Sequence, residues 1–417
     1  MSGISDILRA DWMTAPETRA VVQALTAGGS AVRFVGGCVR DTLAGRPVKD
    51  IDLATPDPPE TVMALLQDAG LKAVPTGISH GTVTAVSDGH AFEITTLRHD
   101  VETYGRRARV AFTDDWAADA ARRDFTINAM SCAPDGTLFD PFSGAGDLAA
   151  GRIRFVGDAR ERIAEDYLRL LRFFRFHADY GRGDPDAEAL AAAAELAANL
   201  DVLSGERVQS ELLRLLEAPD PTAVLRIMLA HGILAHVLPE AGSVEVLVAL
   251  IALTPGDQTI DDLLRLAALL AGGGPRAATV VSDRLRLSRA RRERLRALLD
   301  TDTAVGINLA PARLRQVLYR LGPGPVRDRL LLDAARHHAA GDTGAGDHLA
   351  QALAEVARWR PVSFPLSGRD ARALGIAEGP EVGRLLAAVE SWWMAEDFQP
   401  GREACLTRLR AFRQSGV

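Results

Sequence analysis

Apolar and polar positions alternate with a period of two in several short runs before about residue 157: "AVRFVGG", "DIDLAT", "GTVTAVSDGHAFEITTLR", "GTLFD" and "RIRFVGD". Alternation of that kind marks strands with one face buried. Asp88-Gly89 separates two of the runs and can supply the positive φ angles of a tight hairpin turn. After Glu161 the spacing becomes that of amphipathic helices, in "IAEDYLRLLRFFRFHADYG", "ERVQSELLRLLEA", "TAVLRIMLAHGILAHVL" and "DDLLRLAALLA", with breaks at "GGGP" and "GPGP". The pattern predicts an α+β head followed by an all-helical remainder.

Composition narrows the function classes. With 417 residues, 47% of them hydrophobic and 25% charged, the chain is long enough for about two to four packed units. The net charge of −7 argues against a general nucleic-acid coat protein, which needs surplus cations for phosphates. Three widely separated cysteines, Cys38, Cys132 and Cys405, offer no disulfide framework or CxxC site. The N-terminal stretch "MSGISDILRADWMTAPETRAVV" is charged early, and no apolar run reaches bilayer-spanning length. These features lead us to expect a cytoplasmic protein in a reducing compartment. Of the 48 basic residues only Lys49 and Lys72 are lysine.

Candidate chemistry concentrates in "FVGGCVRDTLAGRPVKDIDLAT", residues 34–55. Asp50 and Asp52 alternate with Ile51 and Leu53, so on a strand the carboxylates share one face. Such a pair can hold a hard divalent cation of the Mg²⁺ type, completed by phosphates and water; two solvated loop acids are the plain alternative. Gly36-Gly37 lie between a strand and an incipient helix, where backbone N–H groups can approach an anion, or where the chain simply turns. Arg40 can meet a phosphate or pair with Asp41. Glu93, in "AFEITTLR", sits on a strand opposite Phe92, Ile94 and Thr96, either as a third metal-site acid or as a solvent-facing residue. None of the nine histidines pairs with a cysteine at zinc-ligand spacing.

Five segments in order, "GGCVRDTLAGRPVKDIDLAT", "RRDFTINAM", "FDPFSGAGDL", "RIRFVGDARERIAEDYLRLLRFFRF" and "LAHGILAHVLPE", resemble the bacterial-type, class II CCA-adding tRNA nucleotidyltransferase and poly(A) polymerase family. The resemblance covers about the first 240 residues. It implies a polymerase β-like nucleotidyltransferase head with a small mixed or antiparallel sheet (1–143), a helical neck that recognises the base (144–240), a helical body (241–340) and an RNA-binding tail (341–417). It also implies Mg²⁺ as cofactor, CTP, ATP and the tRNA 3′ end as partners, and no membrane or obligatory protein partner.

Residue by residue, the resemblance assigns metal binding to Asp50 and Asp52, triphosphate contacts to Gly36, Gly37 and Arg40, and ribose and phosphate contacts to Arg123, Asp124 and Asn128. Asp124 and Asn128 are four apart, a spacing that suits one helix face. Asp166 and Arg169, three apart and expected on one helix, correspond to the positions that read the incoming base. A carboxylate accepts from an exocyclic amino group and a guanidinium donates to ring acceptors, a pairing that cytosine and adenine offer and uracil and guanine do not. A surface ion pair between the two is the competing reading.

Residues 98–115, "RHDVETYGRRARVAFTDD", correspond to a flexible loop that helps the site switch from CTP to ATP, with Gly105 as hinge. Tyr104 stands where the resemblance places an aspartate, so a CC-only activity stays open. A-only addition and poly(A) addition are further alternatives, although "GLKAVPTGISHGTVTAV" lacks an arginine-rich stretch associated with the polyadenylating branch. The seven arginines of residues 282–300 can face tRNA phosphates or balance Asp283, Glu293 and Asp300 on a solvated face.

Overall fold

All but one of the alternating runs form strands, and seven strands build one mixed sheet. The computed structural model describes residues 10–104, 107–256, 259–300 and 305–415. Nine strands occur among them: β1 (Arg33–Val35), β2 (Ile51–Thr55), β3 (Lys72–Gly77), β4 (Thr82–Ser87), β5 (His90–Thr96), β6 (Arg98–Tyr104), β7 (Arg107–Phe112), β8 (Ser131–Cys132) and β9 (Leu138–Phe139). Seven form a sheet in the order β3-β4-β5-β2-β1-β8-β9, and β6 pairs with β7 in a separate ribbon. Asp88 (φ 48°) and Gly89 (φ 79°) form the β4–β5 turn, as their sequence requires. The loop expected over residues 98–115 is in part this β6–β7 ribbon; the hinge position Gly105 and Arg106 lie outside the described residues.

"RIRFVGD" forms no strand among the described residues. Its contribution is a single bridge between Phe155 and Phe125. Phe155 instead joins an aromatic cluster with Phe125 and Phe173, so its burial comes from helix packing and not from a ladder.

One sheet face is a dry core: Phe34, Leu53, Phe92 and Ile94 are each 1% exposed or less. Helices Pro16–Thr26 and Pro59–Asp68 start on prolines, whose missing N–H costs nothing there, and pack against β4. They bury Val21, Leu25, Val62 and Leu66 at helical spacing. The helices that bear on the site are α1 (Gly37–Leu43), α2 (Trp116–Ala121), α3 (Gly144–Ala150), α4 (Ala159–Glu165), α5 (Leu168–Tyr180) and α6 (Gly205–Glu217). Among the described residues no helix is long and apolar enough to cross a membrane.

The chain divides into two compact units, Met1–Pro239 and Glu240–Val417. In the second, helical unit, α7 (Arg289–Leu299) carries most of the arginines flagged in residues 282–300. Arg289 pairs with Glu293 at 2.8 Å, Arg291 with Asp262 at 2.5 Å, Arg292 with Asp283 at 2.5 Å and Arg294 with Asp328 at 2.8 Å. The balanced-face reading therefore describes this helix, with Asp262 and Asp328 as partners that local sequence did not reveal. Asp300 faces Arg329 instead, at 3.8 Å.

α3 is docked with no room to spare. A Cβ on Gly144 would lie 2.1 Å from the carbonyl oxygen of Thr126, the residue that opens a tight turn at Thr126–Asn128. Asp140 holds the helix start by accepting from the N–H groups of Gly144 (2.7 Å) and Ala145 (2.9 Å). Gly144→Ala must push that turn aside, and we expect it to lower stability by about 1–3 kcal/mol, read as a lower urea midpoint at unchanged m-value.

Candidate active site

The parallel pairing of β2 with β5 sets Asp52 opposite Glu93. Asp50 immediately precedes β2, two residues from Asp52, and so belongs to the same face. Leu53, Phe92 and Ile94 point into the dry core, which leaves the carboxylates no alternative side. Burial pushes the Asp52 carboxyl up to about 6, with the charges of Glu93 and Asp50 adding to the effect and Arg123 opposing it. A buried carboxylate whose charge is disfavoured in this way is a donor that a hard cation would stabilise. Among the described residues no three His, Cys, Asp or Glu side chains form a metal-holding group. Asp50 and Asp52 thus fit a cation that also takes phosphate and water ligands, and Glu93 acts on the charge of Asp52 from the neighbouring strand.

Gly36 (φ 68°, ψ −119°) turns the chain from β1 into α1, a conformation open to glycine. A Cβ there would also come within 3.1 Å of Arg123 Nη1. Because α1 has only seven residues, anion attraction at this turn depends on the surrounding guanidinium groups. Arg40 donates to Asp41 Oδ1 (2.9 Å), as its sequence neighbour allowed, and to Asn128 Oδ1 (2.6 Å). Its guanidinium also lies over the rings of Tyr180 (4.7 Å) and Phe176 (5.1 Å).

Asp124 and Asn128 do not share a helix. Between them the chain makes the Phe125 bridge and the 3₁₀ turn Thr126–Asn128, yet the tight turn brings them together: Asn128 Nδ2 donates to Asp124 Oδ1 at 3.0 Å. Asp124 Oδ2 pairs with Arg172 at 2.6 Å. Burial works to raise the Asp124 carboxyl, but Arg172 and the Asn128 amide outweigh it and hold the group below the usual carboxylate range. Arg123 is anchored at 3.2 Å by Asp119, which also holds Arg122 at 2.7 Å.

Asp166 and Arg169 also do not share a helix. α4 ends at Glu165, and Asp166 adopts extended backbone (φ −154°, ψ 105°) before α5 begins at Leu168. The break is stabilised locally: Asp166 accepts from the backbone N–H groups of Leu168 through its side chain (3.2 Å) and of Arg169 through its carbonyl (2.9 Å). Asp166 pairs with Arg207 at 2.6 Å, and Arg169 with Glu165. The surface ion pair between Asp166 and Arg169, the competing reading of the sequence, is not formed.

These residues converge on a cleft of about 410 Å³ lined by Gly36, Gly37, Arg40, Asp52, Asp124, Asn128, Asp166 and Arg169, together with Arg122, Arg123, Arg172, Phe176 and Arg207. Six arginines face three carboxylates there, a surplus of cations suited to a polyphosphate. A second cleft of about 670 Å³ shares Gly37, Arg40 and Asp52 with the first and adds Asp50, Lys49, Arg46, Arg175 and Arg214. Sequence reasoning missed Arg122, Arg172 and Arg207. Arg122 and Arg172 lie within the quoted family segments but carry no spacing that sets them apart from the other arginines, and Arg207 reaches the site only through tertiary packing.

Residues 32–154 match the poly A polymerase head domain, and residues 184–243 the probable RNA and SrmB-binding site of polymerase A. The chain is 33% identical over 395 residues to CCA tRNA nucleotidyltransferase 1, mitochondrial, of Mus musculus, covering 91% of this chain and 86% of that protein. It is 32% identical over 380 residues to the CCA-adding enzyme of Levilactobacillus brevis, covering 89% and 91%. The crystal structure of the Bacillus stearothermophilus CCA-adding enzyme in complex with CTP superposes with a TM-score of 0.77 at 27% identity, over 96% of this chain and 98% of that one.

The raised Asp52 carboxyl has a measurable consequence. A carboxyl higher in the folded than in the unfolded chain favours folding below its unfolded value, and that contribution fades as pH rises through the folded value. Without metal, stability should therefore fall between about pH 4 and pH 6, by up to about 3 kcal/mol from this group. Urea unfolding in chelator across pH 4–8 should show this slope in the wild type and its loss in Asp52→Asn.

Proposed function

The chain belongs to the family of CCA-adding tRNA nucleotidyltransferases and poly(A) polymerases, and from that premise we propose that it adds CMP and AMP, from CTP and ATP, to the 3′ end of tRNA without a nucleic-acid template. The observation that carries this reading is the position of Asp52, which lines both the cation-rich cleft that contains Asp166 and Arg169 and the adjoining cleft that contains Asp50. Phosphate chemistry and base choice can then occur on a single bound nucleotide.

In this reading Arg40, Arg123 and Arg172 bind the triphosphate, beside a backbone that Gly36 and Gly37 keep free of side-chain bulk. Asp50 and Asp52 would hold magnesium together with the phosphates, and the bound cation would supply positive charge for ionisation of the RNA hydroxyl and for the leaving pyrophosphate. Glu93 acts beside them by adding negative charge that strengthens the attraction of this face for a cation. Asp124 and Asn128 orient Arg40 and Arg172 and meet the ribose. Asp166 accepts from the amino group of cytosine or adenine while Arg169 donates to the ring. Uracil or guanine would leave these groups unmatched, at about 1–3 kcal/mol each.

In-line displacement requires the hydroxyl to approach opposite the leaving group. With the triphosphate in the first cleft, the RNA end approaches through the second, where Lys49 and Arg214 present exposed cations. Division of labour follows the chain: the head (1–143) carries the chemistry, the neck (144–240) reads the base, and the body and tail (241–417) hold the tRNA. The compartment we assign is the cytoplasm, in keeping with three free, buried thiols.

Incubation with tRNA ending before CCA, or after CC, plus labelled CTP or ATP and Mg²⁺ should extend both substrates to CCA when products are sized. Arrest after two cytidines at saturating ATP would identify a CC-only enzyme, with Tyr104 as the first residue to exchange for aspartate. Asp50→Asn or Asp52→Asn should abolish addition while tRNA binding persists. Lys49→Ala with Arg214→Ala should raise KM for tRNA several-fold, leave KM for CTP unchanged and lower the salt slope of tRNA binding by about one for each phosphate no longer neutralised.

A further inference from the structure

Asp166 and Arg169 carry opposite charge, lie three residues apart and line one cleft, so mutual pairing is the ordinary outcome. Paired with each other, they would present a neutral, internally satisfied couple to any base. In the structure each has a different partner. Asp166 Oδ2 accepts from Arg207 Nη2 at 2.6 Å, while Arg169 Nη1 donates to Glu165 and to the Arg162 carbonyl (3.0 Å). Arg207 comes from another element: it is the third residue of α6, which packs along α5. The Asp166 and Arg207 side chains are each 21% exposed, so the pair is shielded from water more than a surface bridge is.

We infer that Arg207 is a positioning residue for base selection, holding the Asp166 carboxylate away from Arg169 so that both groups keep free edges for the incoming nucleotide. The inference rests on the base-reading role proposed for Asp166 and Arg169. The extended backbone at Asp166 leaves its side chain free of any helix face, and its one local restraint is the 3.2 Å bond from the Leu168 N–H. The planar guanidinium of Arg207 therefore supplies the directional restraint. One Asp166 oxygen is committed to it, and the carboxylate retains lone pairs to accept from an amino group. Without Arg207, the carboxylate is free to turn towards Arg169, three residues away and on the same cleft, and their pairing removes the donor and the acceptor together.

The test compares incorporation of CTP, ATP, UTP and GTP by wild type, Arg207→Met, Arg207→Lys and Asp166→Asn on tRNA lacking CCA. Arg207→Met should lower the CTP-to-UTP ratio of kcat/KM about ten-fold, the scale of one misplaced hydrogen-bonding group, with KM for tRNA unchanged. Arg207→Lys, which keeps charge but not the planar fork, should recover part of the ratio. Combining Arg207→Met with Asp166→Asn should give no more loss of ratio than Asp166→Asn alone, since both act through one carboxylate. If Asp166→Asn leaves the ratio intact, base reading by Asp166 is itself wrong. If Asp166→Asn shifts the ratio but Arg207→Met slows all four nucleotides equally, Arg207 is a phosphate-binding cation and the positioning role is overturned. Should the methionine variant fold poorly, Arg207→Gln serves in its place under the same criteria.

Discussion

Like charges held together by a sheet register set the terms for the rest of this site. Parallel pairing of β2 with β5 puts Asp52 beside Glu93, and chain alternation adds Asp50 on the same face. The opposite face of these strands is filled by Leu53, Phe92 and Ile94, so turning the acids away from one another would expose that core to water. Burial of such apolar groups contributes about 1.5–3 kcal/mol for each, which exceeds the cost of one carboxylate that ionises late. The strand core thereby enforces an arrangement that its acids, left to themselves, would avoid.

Guanidinium groups answer that concentration of negative charge, and they do so in fixed positions. From Arg40 a chain of hydrogen bonds and ion pairs runs through Asn128, Asp124, Arg172 and Glu211 to Arg175. It ties α1, the turn at Thr126–Asn128, α5 and α6 together, so the cations around the cleft are oriented before any nucleotide arrives. Preorganised donors lose little reorganisation energy when charge develops opposite them. The same chain holds the Asp124 carboxyl down despite its burial, whereas burial and then the charge of Glu93 push the Asp52 carboxyl up.

Arginine serves a different end in the second unit. The side chains of α7 are largely committed to Asp261, Asp262, Asp283, Glu293 and Asp328, which converts a strongly basic run into a cross-linked helix surface. High local charge in sequence is thus a poor guide to where phosphates bind in this chain. The arginines around the first cleft are ion-paired as well, but separate elements gather them onto one concave surface.

The amino-acid sequence by itself determined whatever depends on short-range periodicity and turn chemistry. The β4–β5 hairpin at Asp88-Gly89, the glycine turn into α1, the single face shared by Asp50 and Asp52 and the change from strands to helices were all legible, because each is decided within a few residues. The family motifs were legible for the same reason and carried Asp124, Asn128, Asp166 and Arg169 to one site, although the helices assumed for both pairs are broken. Spacing of three or four residues is also met by a 3₁₀ turn or a capped helix junction, and only backbone hydrogen bonds distinguish these from a continuous helix. Tertiary structure alone decided the register of Glu93 against Asp52, the absence of a strand at Phe155, the partner of Asp166 and the entry of Arg122, Arg172 and Arg207 into the cleft. Those outcomes join residues from separate elements, and the free energy that selects them lies in packing and charge pairing that no local pattern encodes.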